Sequence, residues 1–176
     1  MRLDSLTHLT RAVLAMAEVD RVVIFGSASL LGRHPELGEQ ADSPLLATYD
    51  ADLIPFPFEE EIGLMLDEAF GEDRVFHQRF GYHADIVRPK VAETFPAGWE
   101  NRLSPLPGVD GAFCLDPHDM AAAKCLAGRD KDCVQLEFLI GAAILDPKLL
   151  RERLQELLLP AESITRGIRF LDGLKS

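Results

Sequence analysis

Apolar residues at Leu6, Leu9, Val13, Met16 and Ala17 recur at helical spacing and predict an amphipathic helix over residues 4–18. Asp20 leads into an unbroken apolar run, so Arg21–Phe25 reads as a strand, and Ala28 to Leu31 read as the first turn of a short helix. Residues 33–47, with two prolines and several polar residues, read as a loop, and residues 48–54 as a second strand stopped by Pro55 and Pro57. Ile62, Met65, Leu66, Ala69 and Phe70 form a helical stripe. Glu59, Glu60 and Glu61 stand in its first turn, where the helix dipole favours acids, and Gly71 closes it. Residues 74–79 and 82–87 then read as two strands joined at Phe80-Gly81, and residues 89–110, with four prolines, as irregular chain anchored by Trp99.

Gly111–Leu115 reads as a further short strand. Asp116-Pro117 has the form of an N-cap followed by a first-turn proline, and Gly128 closes the helix they open. From Asp130 to Leu145 runs a second helix, apolar on most sides (Val134, Leu136, Phe138, Leu139, Ile140, Ala142, Ala143) and therefore expected to be buried. Asp146-Pro147 and Pro160 begin two more. The fold class expected is α/β, of mixed α+β character, in a single domain over residues 1–176. A mixed core over 1–115 is followed by a helical part over 116–176.

Composition narrows the setting. The chain has 176 residues, 47% of them hydrophobic, and no apolar run approaches the about 20 residues of a membrane span. Met1-Arg2-Leu3-Asp4-Ser5 has neither the charged nor the apolar region of a signal peptide. Cys114, Cys125 and Cys133 are odd in number and lack Cys-x-x-Cys spacing, so they read as free thiols in a reducing, cytoplasmic setting. The net charge of −11 is uneven: residues 1–100 hold 18 acids against 8 bases, and residues 101–176 hold 11 against 10. Such a chain has no general attraction for nucleic acid, so a polynucleotide substrate would need a basic patch from the C-terminal half.

The chemistry concentrates between residues 25 and 52. Gly26-Ser27 follows the first strand, and Thr48-x-Asp50-x-Asp52 sits on the second. Glycine lets backbone N–H groups approach a triphosphate, and the Ser27 hydroxyl can bond a phosphate oxygen. Side chains two apart on a strand point the same way, so Asp50 and Asp52 aim at one place, where hard Mg²⁺ ions would be held. A third acid, Asp85, lies between apolar residues in Ala84-Asp85-Ile86. If the two strands are neighbours, three carboxylates converge in the manner of a two-metal site, and Asp85 could also take a hydroxyl proton. The alternative is a strand end facing solvent. His83, two before Asp85, shares its face. No His-x-x-x-His or His-Glu-x-x-His spacing suggests zinc, and Gly-x-Ser-x-Gly is absent.

A second constellation is Asp116–Lys124 followed by Gly128-Arg129-Asp130-Lys131-Asp132. Lys124 stands among Met and Ala on its helix, an odd place for a solvated residue. It could reach a triphosphate, with Asp132 holding it, or it could snorkel to the surface beside a solvated turn.

Together these pieces resemble the DNA polymerase β-like nucleotidyltransferase superfamily. Within it the chain looks like the small bacterial group related to the abortive-infection type IV toxin nucleotidyltransferases and the DUF6036 proteins. The resemblance covers about residues 4–140 and rests on the first helix, Gly26-Ser27, Thr48-x-Asp50-x-Asp52, Ala84-Asp85-Ile86 and Lys124-x4-Arg129-x-Lys131-Asp132. It implies a mixed sheet flanked by helices and transfer of a nucleoside monophosphate from an NTP to a hydroxyl of tRNA or of a protein. It also implies a part in a toxin–antitoxin pair with a partner encoded nearby. Gly26 and Ser27 would hold the phosphates, Asp50, Asp52 and Asp85 would bind Mg²⁺, Lys124 would contact the phosphates, and Asp132 would be a supporting or catalytic acid. The chain departs from the pattern in two ways. The Ser27–Asp50 spacer is long, which loop entropy tolerates, and Leu46 stands where relatives often carry arginine. Those departures keep open a second reading, an inactive fold serving as a binding module such as an antitoxin or nucleotide sensor.

Overall fold

The first helix, α1 (Leu3–Ala17), buries Leu6, Leu9, Val13 and Ala17 of the stripe its spacing predicts and leaves Met16 exposed. Each buried Leu or Val side chain contributes about 1.5–3 kcal/mol by leaving water. The computed structural model describes residues 1–174, and these fall into two compact units. The first comprises Met1–Pro89 and Leu103–Leu115; the second comprises Lys90–Arg102 and the chain from Asp116 on.

The first unit is built on a five-stranded mixed sheet of order β3-β2-β1-β5-β4, formed by β1 (Arg21–Phe25), β2 (Asp50–Phe56), β3 (His83–Ile86), β4 (Ser104–Pro105) and β5 (Ala112–Cys114). β1 lies antiparallel to β2 and parallel to β5; β2 lies parallel to β3. Val22, Val23, Ile24, Leu53, Ile54 and Ala84 form the buried centre. Helix α2 (Glu60–Phe70) packs on α1 and β3, with Leu66 fully buried.

Three expectations for this unit need correction. Residues 75–80 are a helix, α3 (Val75–Phe80), and not a strand. Phe76 and Phe80 lie one turn apart and meet each other, His8 and Tyr82 ring to ring, a contact that helical spacing permits and strand alternation does not. Gly81, at φ 78°, caps the helix, its N–H donating to the His77 carbonyl.

Strand β2 runs on through Pro55 to Phe56. Val22 gives its N–H to Gly111 on the other side, so the Val22–Pro55 pair owes no ladder bond to β1. β3 ends at Ile86, opposite Leu53, so none is owed to β3 either. The long loop over 33–47 is the third correction, since it contains two 3₁₀ turns, Pro35–Gly38 and Pro44–Ala47, each opened by proline.

The second unit is helical. Asp116 caps α4 (Pro117–Ala127) by accepting the His118 N–H at 2.9 Å, and Gly128 ends it at φ 61°. Then come α5 (Asp130–Gly141), α6 (Pro147–Gln155) and α7 (Ala161–Gly173). Met120, Ala121, Leu136, Leu139, Leu150, Leu154 and Leu171 are buried among them. α5 is not buried on all sides as expected: it ends at Gly141, Val134 is 64% exposed, and Ala142 and Ala143 lie beyond it in the open. The buried face instead includes two polar residues, Asp132 and Gln135.

Residues 89–110 are also more ordered than expected, with 3₁₀ turns at Pro89–Thr94 and Trp99–Arg102 before β4. Trp99 packs edge-on to Phe95 at 5.3 Å. Arg102 closes this segment onto α4, donating to Asp119 at 2.8 and 3.1 Å and to the carbonyl of Ala97 at 3.0 Å. Arg153 also reaches the fully buried Asp119 carboxylate, at 3.3 Å. Among the described residues no helix is long and apolar enough to cross a membrane.

Candidate active site

β1 runs out at Phe25, which pairs with Asp52 on β2, and the chain must turn at once. Gly26 makes the turn at φ 60°, ψ −158°, a conformation that side-chain-bearing residues avoid. A Cβ on Gly26 would also collide with Oδ2 of Asp52, so the glycine is what lets that carboxylate lie against the backbone. Ser27 opens the 3₁₀ helix Ser27–Gly32 and is half-buried. Ser29 secures the turn, its hydroxyl and N–H both donating to the Gly26 carbonyl at 2.8 and 3.3 Å. Sequence reasoning passed over Ser29; a hydroxyl three residues after the turning glycine is the signal that could have found it.

The parallel register of β2 and β3 sets His83 beside Asp50 and Asp85 beside Asp52. Because register partners and residues two apart share a face, these four side chains occupy one patch of the sheet. Oxygens of Asp50, Asp52 and Asp85 all lie within 4.8 Å of one another. Asp50 and Asp52 are half-buried and Asp85 is the more open. Burial pushes the Asp85 carboxyl above the usual carboxylate range, with Asp50, Glu72 and Asp67 adding repulsion and His83 opposing them. Three carboxylate oxygens this close form a hard, anionic donor set, which suits a divalent cation with oxygen preference.

In the second unit Lys124 and Asp132 are joined. Lys124, in the last turn of α4, is 8% exposed and donates from Nζ to Asp132 Oδ1 at 2.9 Å. Arg129 clamps the same carboxylate with Nε at 2.7 Å and Nη2 at 3.3 Å. Burial alone would raise the Asp132 carboxyl, but hydrogen bonds from Arg129 and Lys124 outweigh it and hold the group below the usual range. Its place in the first turn of α5 adds the helix dipole to that stabilisation.

The remaining singled-out residues pack. Burial pushes the Cys114 and Cys125 thiols up to about 12, far from a reactive thiolate. His118 accepts the Asp146 N–H at 3.0 Å, bridging the starts of α4 and α6.

The sequence-predicted residues thus form two groups. Gly26, Ser27, Asp50, Asp52 and Asp85 gather in the first unit, and Lys124 and Asp132 gather with Arg129 in the second. No curated protein and no solved structure gives a significant match to the chain. A family model does, over residues 1–166, a span that includes both groups. The chain belongs to the DUF6036 family, whose description is a nucleotidyltransferase of unknown function.

Proposed function

We propose that the chain is a Mg²⁺-dependent nucleotidyltransferase that moves a nucleoside monophosphate from an NTP to a hydroxyl group. The observation that carries this reading is the convergence of Asp50, Asp52 and Asp85 beside the Gly26 turn. Asp50, Asp52 and Asp85 would hold the metal, which when bound offsets phosphate charge and polarises the reacting oxygens. Gly26 and Ser27 offer backbone N–H groups and a hydroxyl to the triphosphate. The acceptor oxygen attacks the α-phosphorus, the bond to the β-phosphate oxygen breaks, pyrophosphate leaves, and the hydroxyl proton passes to Asp85. Asp85, the most open of the three carboxylates, takes that proton in this reading. Lys124, in the second unit, is engaged by Asp132 and is given no part in this step.

Charge favours a protein acceptor over tRNA. The first unit carries 17 acids against 7 bases and the second 12 against 11. In the second unit Arg102, Lys124, Arg129, Arg151 and Arg153 already engage carboxylates. A polyanion therefore meets a repelling first unit and a second with almost no net charge, five of whose eleven cations are committed to carboxylates. The reading further places the protein in the cytoplasm as one member of a toxin–antitoxin pair, a setting that its thiols and its resemblance support.

Leu46, half-buried in the turn before β2, favours a second reading in which the fold binds nucleotide without transferring it. Incubating the protein with each α-labelled NTP, Mg²⁺, and either whole lysate or total tRNA separates these readings. The first predicts label in a protein band that disappears with Asp50→Asn. Label in neither pool, with NTP binding retained, supports the second.

A further inference from the structure

His83 stands on the carboxylate patch, yet the transferase reading gives it no task. It is 8% exposed, occupies β3 beside Asp50, and points Nε2 at Asp85 Oδ1 across 3.6 Å. The ring leans on His77 of α3, with centroids 4.6 Å apart. His77 is itself fixed, its Nδ1 accepting the Asp73 N–H at 3.0 Å. His83 Nδ1 is buried and makes no hydrogen bond among the described residues.

This asymmetry decides where the ring proton belongs. A proton on Nδ1 would bury an N–H donor with nothing to receive it and would turn a lone pair toward a carboxylate, and both cost free energy. A proton on Nε2 turns the donor toward Asp85 and leaves only a bare nitrogen buried. The 3.6 Å separation is longer than a hydrogen bond, but contacts of this kind tighten when a catalytic complex forms.

We infer that His83 is the positioning residue of the carboxylate site, donating Nε2–H to one oxygen of Asp85 so that the other is presented to the metal. The inference rests on the metal-binding reading proposed above. It assigns α3 the part of a buttress, holding His83 through His77. Groups in this outer position commonly change metal affinity by about 10- to 100-fold when removed.

Two measurements test it. The first is Mn²⁺ binding, followed by electron paramagnetic resonance, on wild type, His83→Phe and His83→Gln, with thermal unfolding run alongside to verify folding. Phenylalanine keeps the ring and removes the donor; glutamine restores an N–H near the position of Nε2. The expected result is Mn²⁺ affinity weakened about 10- to 100-fold in His83→Phe and largely recovered in His83→Gln. Equal affinity in all three, or equal loss in both variants, overturns the inference.

The second is the histidine ¹⁵N spectrum of the metal-free protein, which reads the tautomer directly. A protonated Nε2 with bare Nδ1 is expected, and a proton on Nδ1 alone overturns the inference. If wild type binds no Mn²⁺, both the metal reading and the role of His83 toward it fall. Intact Mn²⁺ binding with the wrong tautomer removes His83 alone.

Discussion

In the first unit Asp50, Asp52 and Asp85 crowd within 4.8 Å of one another, while in the second Asp119 and Asp132 are each met by two cationic side chains. The pulls on Asp85 and Asp132 are opposite: burial and neighbouring acids raise the first, whereas Arg129 and Lys124 overcome burial and lower the second. Mutual repulsion of carboxylates opposes folding, and a bound cation would offset it. A clamped buried carboxylate works in the other direction, because removing either partner strands a charge. The same residue type is therefore crowded by its own kind in one unit and clamped by cations in the other.

The contrast breaks most visibly at Asp52. Asp52→Asn is expected to lower nucleotidyl transfer about a thousandfold, some 4 kcal/mol of barrier, with no loss of thermal stability. Initial rates with labelled NTP beside a melting curve check both halves. Lys124→Met should behave in the opposite way. It leaves the fully buried Asp132 with Arg129 alone and costs about 3 kcal/mol in urea unfolding, the low end for a broken buried pair.

Gly26→Ala falls between the two. The positive φ costs about 1–3 kcal/mol, and the added methyl displaces the Asp52 carboxylate, so stability and Mn²⁺ affinity drop together.

Acid and base limbs sharpen the comparison further. The lowered Asp132 contributes stability that is present above its unfolded value, about pH 3.9, and lost as pH falls through its folded value. Stability contributed through the raised Asp85 is present below about pH 3.9 and lost as pH rises through its folded value. Melting temperature against pH should therefore lose part of its acid-side slope in Asp132→Asn, while Asp85→Asn should melt higher than wild type at neutral pH without metal. The smallest effect belongs to the exposed Arg151–Asp172 pair, whose disruption by Arg151→Ala should shift stability by less than about 1 kcal/mol.

Much of this was legible in the chain. The stripe of α1, the apolar run of β1 and the Asp116-Pro117…Gly128 frame of α4 are local signals, and local physics decides them. Asp50 and Asp52 could be paired from strand alternation alone. That Asp85 joins them depends on the β2–β3 register, which links residues 33 apart and leaves no local trace. α3 was misread because six residues with phenylalanines four apart fit either period until His8 and Tyr82 show what the rings meet. Pro55 looked like a stop because its strand neighbours were unknown; it lies on the side of β2 where β3 has already ended. The apolar count of α5 concealed an exposed Val134 and the burial of Asp132, which Lys124 of α4 and the N-cap residue Arg129 make possible.

The most direct test of the opposed roles is thermal unfolding of wild type, Asp52→Asn and Asp132→Asn, each with and without Mg²⁺ and NTP. A ligand that binds only the folded state raises stability by about 2.7 kcal/mol at a hundred times its dissociation constant. The account predicts that Asp132→Asn melts below wild type in the absence of ligand. It also predicts that Asp52→Asn melts at or above wild type and loses the rise that Mg²⁺ and NTP give wild type. An Asp52→Asn protein that melts as low as Asp132→Asn, or that keeps the full ligand-induced rise, would contradict it.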